Sequence, residues 1–294
     1  MGAGLISGEP PASPAATRAL LRRFGVRPTK RWGQHFLVSA RVLDVIVASA
    51  ELSLRDTVLE VGPGLGTLTE ALAARAGAVI AVEVDPRLVR VLAARAGTLP
   101  NVRIVHGDAL HMDLAALLPD PGSAGARKAV ANLPYNIAAP LLLRLLEPGL
   151  GMARLVVTVQ REVAERIAAG PGTAAYGRLS VAVRYRAAAR IVSRIPPGAF
   201  LPAPDVESSV LALVPHPRPP VRVDDEARLF RVVAAGFGHR RKTLANALAR
   251  GLELSPAAVA SACRAAGVDP RARAETLGLE AFAALTRALY PADR

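Results

Sequence analysis

The chain has 294 residues, with 37 Lys and Arg against 24 Asp and Glu, for a net charge of +13. Half of it (51%) is apolar, which excludes a disordered basic tail and allows one large domain or two ordinary ones. Its lone cysteine, Cys263, excludes an internal disulfide and a multi-cysteine metal site, and no metal is expected.

Residues 1–16 are rich in Gly, Pro, Ser and Ala and read as disordered. A short basic helix fits 17–24, and residues 1–27 together read as a disordered basic arm. After Trp32-Gly33-Gln34-His35-Phe36, residues 40–50 read as an amphipathic helix. From Thr57, strands alternate with helices. Strands are predicted over 57–61, 78–84, 102–105, 128–131 and 155–160. Helices are predicted over 67–75, 86–95, 138–146 and 161–168, with Asp85-Pro86 as a start signal. The alternation predicts an α/β fold with a doubly wound parallel sheet. Further strand-like runs at 179–185, 191–195 and 206–214 lack long helices between them, so an antiparallel end to the sheet is expected. Pro215, Pro217, Pro219 and Pro220 mark a linker. Beyond it, 224–236, 241–250, 255–266 and 279–289 read as four helices of a small all-α domain. The longest uncharged apolar run, 129–143, holds two Pro and two Asn, so no membrane span is expected. The N-terminus lacks the apolar stretch of a signal peptide, and the expected location is the cytoplasm.

The charge is unevenly spread. Residues 1–41 carry net +6, 42–165 carry −2, 166–204 hold six basic residues and no acid, and 205–294 carry +3. A biased genome explains the preference for Arg over Lys. It does not explain an excess that flanks a mildly acidic middle. A polyanionic partner does, and nucleic acid is the usual one.

Glu60-Val61-Gly62-Pro63-Gly64-Leu65-Gly66-Thr67 follows the first predicted sheet strand and opens a helix. Its glycines, Gly62 and Gly64 foremost, permit a tight turn and close approach of backbone to ligand. The spacing is neither that of a P-loop nor the dinucleotide fingerprint. Glu83 ends the second strand, where a carboxylate can accept both ribose hydroxyls. Asp108 follows the third, where a carboxylate can accept the exocyclic amine of adenine. Each alone reads as a solvated loop acid. In order at successive strand ends, they suit an adenosine ligand. Without a phosphate-binding feature, S-adenosylmethionine fits better than NAD.

Asn132-Leu133-Pro134-Tyr135 ends the fourth strand. Here the chain resembles amino-group methyltransferases. The Asn132 side-chain oxygen and the Leu133 carbonyl can accept the two N6 hydrogens of adenine and favour a nucleophilic nitrogen. Pro134 fixes the local backbone. Tyr135 gives a flat face for a flipped base. No strong base is required, so alignment of donor and acceptor contributes most.

Lys30 to Leu37, Gln160 to Val163, Tyr176 to Ser180, Phe200 to Ser208 and Phe237 to Leu244 complete an ordered set of motifs. With them the chain closely resembles, over about residues 28–290, the KsgA (RsmA) family of small-subunit ribosomal RNA adenine dimethyltransferases. The resemblance implies a Rossmann-like S-adenosylmethionine-dependent methyltransferase domain over 28–215 and a helical RNA-binding domain over 221–294. It implies that His35, Leu37, Gly62, Gly64, Glu83, Asp108 and Asn132 contact S-adenosylmethionine. It implies double methylation of two adjacent adenosines in a hairpin loop near the 3′ end of 16S rRNA, within an immature 30S subunit, by a monomer. Phe200 resembles a second stacking face opposite Tyr135. His239 stands where the family commonly has Gln. Arg178, Arg240, Arg241 and Lys242 are the expected RNA contacts. The last three read as the start of a helix, where positive charge opposes the dipole and a partner phosphate would explain it. The alternatives are an Erm-type 23S rRNA adenine methyltransferase, a DNA adenine methyltransferase and a mainly non-catalytic ribosome assembly factor. The segment 237–244 and the helical domain favour the 16S enzyme.

Overall fold

The computed structural model describes residues 12–29, 32–120, 125–239 and 241–291. Two compact units result. One holds the chain up to Ala164 together with Arg190–Pro215; the other holds Glu165–Ala189 and the chain from His216 onward. This differs from the expected division at 28–215 and 221–294, because residues 165–189 fold with the helical unit.

The first unit opens with helix α1 (Pro14–Arg23), strand β1 (Phe36–Leu37) and helix α2 (Ala40–Ser49). Strand β2 (Thr57–Val61), helix α3 (Thr67–Ala73), strand β3 (Ala78–Glu83), helix α4 (Pro86–Arg95) and strand β4 (Val102–His106) follow. Then come strand β5 (Arg127–Asn132), helix α5 (Ala138–Leu145), strand β6 (Met152–Gln160) and helix α6 (Arg161–Ala168). After helix α7 (Arg178–Arg186), strands β7 (Ala187–Ile195), β8 (Phe200–Leu201) and β9 (Ser208–Pro215) end the sheet region.

Seven strands form one sheet in the order β4-β3-β2-β5-β6-β9-β7. The pairs from β4 to β6 are parallel, and β9 runs antiparallel to β6. All five residues of β2 are buried, as a parallel strand covered on both faces requires. The chain winds from β2 to β4, then returns to place β5 on the other side of β2. This reversal opens a crevice at the carboxyl ends of β2 and β5, where open α/β sheets bind ligands. The glycine loop and Asn132 both sit there.

The expectation of a disordered arm over 1–27 is corrected for residues 12–27; residues 1–11 lie outside the described residues. Ser13 caps α1, its Oγ accepting from the Ala16 N–H at 3.1 Å, and Pro14 opens the helix. Val26 is buried with Phe36, Leu65, Leu88 and Val91, and Leu21 and Phe24 pack against them. The segment therefore covers the glycine loop and α4 rather than trailing in solvent. Its Ala- and Pro-rich composition hid a start signal that was legible in Ser13-Pro14.

The second unit is built from α7, α8 (Glu226–Phe237), α9 (Leu244–Leu252), α10 (Pro256–Ala265) and α11 (Leu279–Leu289). Tyr176, Val181, Leu229, Val233, Leu248 and Phe282 share its core. The strand expected over 179–185 is helix α7. Leu179, Val181, Val183 and Tyr185 alternate as in a strand, but Ser180 and Ala182 are buried as well. A helix buried on most sides loses its amphipathic period, so alternation misleads. Helix α9 begins at Leu244, with Thr243 as its cap. Arg241 and Lys242 therefore precede the helix instead of opening it, and the dipole argument for a bound phosphate does not apply to them. Among the described residues, no helix is long and apolar enough to cross a membrane.

Candidate active site

A cleft at the carboxyl edge of the sheet has about 910 Å³ of empty space, counting the part open to solvent. His35, Leu37, Gly62, Gly64, Glu83, Asp108, Asn132 and Pro134 all line it. All seven expected cofactor contacts thus meet in one place. Leu37 does so from β1, with its side chain in the hydrophobic core.

Gly64 has φ +60°, and a Cβ added there would stand 3.1 Å from the Phe36 ring. Both the left-handed backbone and the close ring demand glycine. The Gly64 N–H donates to Glu83 Oε2 at 3.0 Å, and the Asp85 N–H donates to Oε1 at 2.9 Å. Glu83 is 4% exposed, and burial raises its pKa despite these donors. Each oxygen takes one backbone donor, and each keeps a lone pair for a ribose hydroxyl. Asp108 is more open. Its Oδ1 accepts from the Leu110 N–H at 2.9 Å, its Oδ2 lies 3.0 Å from His111 Nδ1, and its pKa is lowered chiefly by the Leu110 bond. An ionised, half-exposed acceptor fits the rim position that an exocyclic amine would occupy.

Asp85 is a residue whose role sequence reasoning saw only as a helix start. Its side chain is 1% exposed and caps α4, accepting from the Arg87 N–H at 2.9 Å. Arg87 Nη2 and Gln34 Nε2 both donate to Oδ2, at 2.6 and 3.0 Å. Gln34 Oε1 in turn accepts from the Thr29 N–H at 2.9 Å. This chain ties the segment before β1 to the end of β3. Arg87 is the main reason the Asp85 pKa falls to about 2. A depressed acid stabilises the fold above its unfolded pKa and loses that effect as pH falls through its folded one. The stability gap between the native chain and Asp85→Asn should therefore close as pH drops from about 4 to about 2. Urea melts across that range check this, and a gap that stays constant would refute it.

Asn132 ends β5. Its Nδ2 donates to the His35 carbonyl at 2.9 Å, which fixes the amide orientation, since a flipped amide would oppose two oxygens. Its Oδ1 is buried and has no hydrogen-bond partner among the described residues. A buried, oriented, unsatisfied acceptor at the cleft is what an amino group on a substrate would fill. Leu133 is 1% exposed, and its N–H donates to Thr158 O at 3.1 Å, anchoring the tetrapeptide to β6. The Pro134 ring lies against Gly62, where an added Cβ would sit 3.6 Å from Pro134 Cδ. The two loops are thus in contact.

Tyr135 is half-buried beside the cleft. Its hydroxyl shares a hydrogen bond with Ser208 Oγ, and burial raises its pKa. Its ring stacks on that of His35, with centroids 5.1 Å apart and planes 23° apart. His35 Nδ1 is held 2.8 Å from the Pro202 carbonyl. The second face expected at Phe200 is not open in this structure. Strand β8 pairs with β1, placing Phe200 opposite Leu37, and the ring is 3% exposed in the core. It presents no open face for a base in this structure; the ring that faces Tyr135 is His35. The pairing of β1 with β8 involves two residues from each strand, too few for a sequence pattern to reveal. Ser208 lay within a recognised motif, but nothing in its residue type predicted that it would hold Tyr135.

Of the expected RNA contacts, Arg178, Arg241 and Lys242 are exposed on the helical unit. Arg240 lies outside the described residues. Among the described residues, no group of three or more His, Cys, Asp and Glu is placed to hold a metal ion.

Comparison with known proteins matches this arrangement. A family model described as ribosomal RNA adenine dimethylase covers residues 26–289. The ribosomal RNA small subunit methyltransferase A of Moorella thermoacetica is 46% identical over 283 residues, spanning 95% of this chain and 98% of that one. A dimethyladenosine transferase from Plasmodium falciparum superposes with a TM-score of 0.68 at 25% identity, over 85% of this chain and 96% of that one. The 23S rRNA methyltransferase ErmE superposes with a TM-score of 0.65 at 26% identity, over 86% of this chain and 99% of that one. The sheet is therefore that of a Rossmann-like methyltransferase. With its glycine loop, Glu83, Asp108 and Asn132 lining one cleft and its match running nearly end to end, this chain belongs to the ribosomal RNA adenine dimethylase family.

Proposed function

We propose that the protein dimethylates the N6 amino groups of two adjacent adenosines near the 3′ end of 16S rRNA, in an immature 30S subunit, using S-adenosylmethionine. The observation that carries the reading is the buried, unsatisfied Oδ1 of Asn132 at the mouth of a cleft lined by acids. When bound, S-adenosylmethionine supplies a methyl group on a positively charged sulfur. Glu83 would hold the ribose hydroxyls and Asp108 the adenine amine. Asn132 Oδ1 and the Leu133 carbonyl would accept the two hydrogens of the target N6, keeping its lone pair directed at the methyl. The proton shed after transfer passes to solvent, so no side chain need act as a strong base. Tyr135 would stack on the flipped base. Alignment supplies most of the rate.

Ser208 positions that ring. Ser208→Ala and Tyr135→Phe should each lower kcat by about tenfold, and the double variant should be no worse than either. Additive losses in single-turnover assays would separate the two residues.

The similarity to ErmE favours a second reading, methylation of 23S rRNA. Tritium transfer from labelled S-adenosylmethionine decides between them. Label is expected in small subunits that lack the modification. Label in large-subunit RNA instead would overturn the proposal. The exposed Arg178, Arg241 and Lys242 suit phosphate contacts, and a monomer is expected in solution.

A further inference from the structure

The cleft is lined by three acids, Glu60, Glu83 and Asp108, and by no Lys or Arg among the described residues. Glu83 and Asp108 have hydrogen-bond donors around them. Glu60 does not. It lies on β2, two residues before Gly62, and is 1% exposed. Neither carboxylate oxygen has a hydrogen-bond partner among the described residues. The Thr69 hydroxyl on α3 is near enough to favour the charged form but is itself unpartnered, so it is not aligned as a donor. From β3, Glu83 faces Glu60 as a like charge. Beyond Glu83, Asp85 is neutralised by Arg87. Burial, opposed by the Thr69 hydroxyl and aided by the Glu83 charge, pushes the Glu60 pKa up to about 8.

A carboxyl with no well-aligned donor and no cation in a buried cleft is unfavourable as an anion. It becomes favourable as soon as a positive charge is seated beside it. We infer that Glu60 senses ligand charge: it is a neutral acid in the free protein and ionises when a cationic adenosyl ligand enters, releasing its proton to solvent. This rests on the cleft being the S-adenosylmethionine site. Affinity then depends on charge that the ligand carries, and a neutral adenosyl compound of similar shape gains nothing from Glu60. A buried acid with a purely structural role would keep its proton with either ligand.

Calorimetric titration in phosphate and in Tris, whose ionisation heats differ, counts the protons released. At pH 7 the native protein should release about one proton per S-adenosylmethionine bound. Its affinity should weaken up to roughly tenfold as pH falls from 7 to 6. 5′-Methylthioadenosine, which carries no charge, should release none and bind with no pH dependence over that range. S-adenosylhomocysteine keeps the ammonium but lacks the sulfonium, so its proton count assigns the sensed charge to one or the other. Glu60→Gln should bind S-adenosylmethionine without proton release. The native-protein titrations decide the matter even if that variant fails to fold. Equal release by 5′-methylthioadenosine, or none with S-adenosylmethionine, would overturn the role of Glu60. Absence of any S-adenosylmethionine binding would instead overturn the cofactor reading itself.

Discussion

Asn132→Ala should lower methyl transfer by about 10³-fold while leaving small-subunit binding within a few-fold of native. The size follows from what the side chain does. Its Nδ2 is committed to the His35 carbonyl, so its only free function is the buried Oδ1. Removing one preorganised polar group aimed at a reacting centre typically costs 10²–10³ in kcat, or about 3–4 kcal/mol. The upper end applies because adenine N6 is a poor nucleophile whose lone pair is spread into the ring. Asn132→Asp should be nearly as damaging. It keeps an oxygen at the reacting position, but sets its second oxygen against the His35 carbonyl and loses the bond that fixes the orientation. Single-turnover rates with filter binding of subunits check both variants. If subunit binding collapsed with the rate, Asn132 would be a structural residue of the loop.

The cleft was legible because each of its parts is a local signal at a strand end. Gly62, Gly64, Glu83, Asp108 and Asn132 each follow a short apolar run, and parallel winding brings successive strand ends to one edge. Asp85-Pro86 marked α4 to the residue for a similar reason: cap chemistry is written in two adjacent residues. What escaped reading depends on pairs far apart in sequence. Asn132 with the His35 carbonyl, Tyr135 with Ser208, and Gln34 with Asp85 are contacts across 97, 73 and 51 positions. No periodicity encodes them. Phe200 shows the reverse difference. An aromatic in a recognised motif invited a stacking role, whereas its pairing opposite Leu37 buries it. Helix α7 failed for a third reason, since burial on most sides erased the pattern that tells a helix from a strand.

Glu83→Ala should raise the Kd for S-adenosylmethionine by at least about 10²-fold, while kcat at saturating cofactor changes only a few-fold. Two losses combine in the first effect. In the proposed cofactor site, two ribose hydroxyls lose a charged acceptor, at about 1.5–3 kcal/mol each. The Gly64 and Asp85 N–H groups also lose their acceptor, and the first of them sets the glycine turn that packs against Phe36. Even the lower ribose figure for both hydroxyls, about 3 kcal/mol, exceeds a hundredfold in affinity. Glu83→Gln keeps the shape and one acceptor, but presents an NH₂ to one of the two backbone donors. Its Kd should therefore fall between those of the native chain and Glu83→Ala. The rate at saturation is protected because, in the proposed function, the reacting nitrogen is held from β5, by Asn132 and Leu133, rather than from β3. Calorimetric Kd values set beside kcat at saturating cofactor test this division. A collapse of kcat with an unchanged Kd would move Glu83 from the cofactor to the acceptor base, and would remove the chief support for adenosine lying along the ends of β2 and β3.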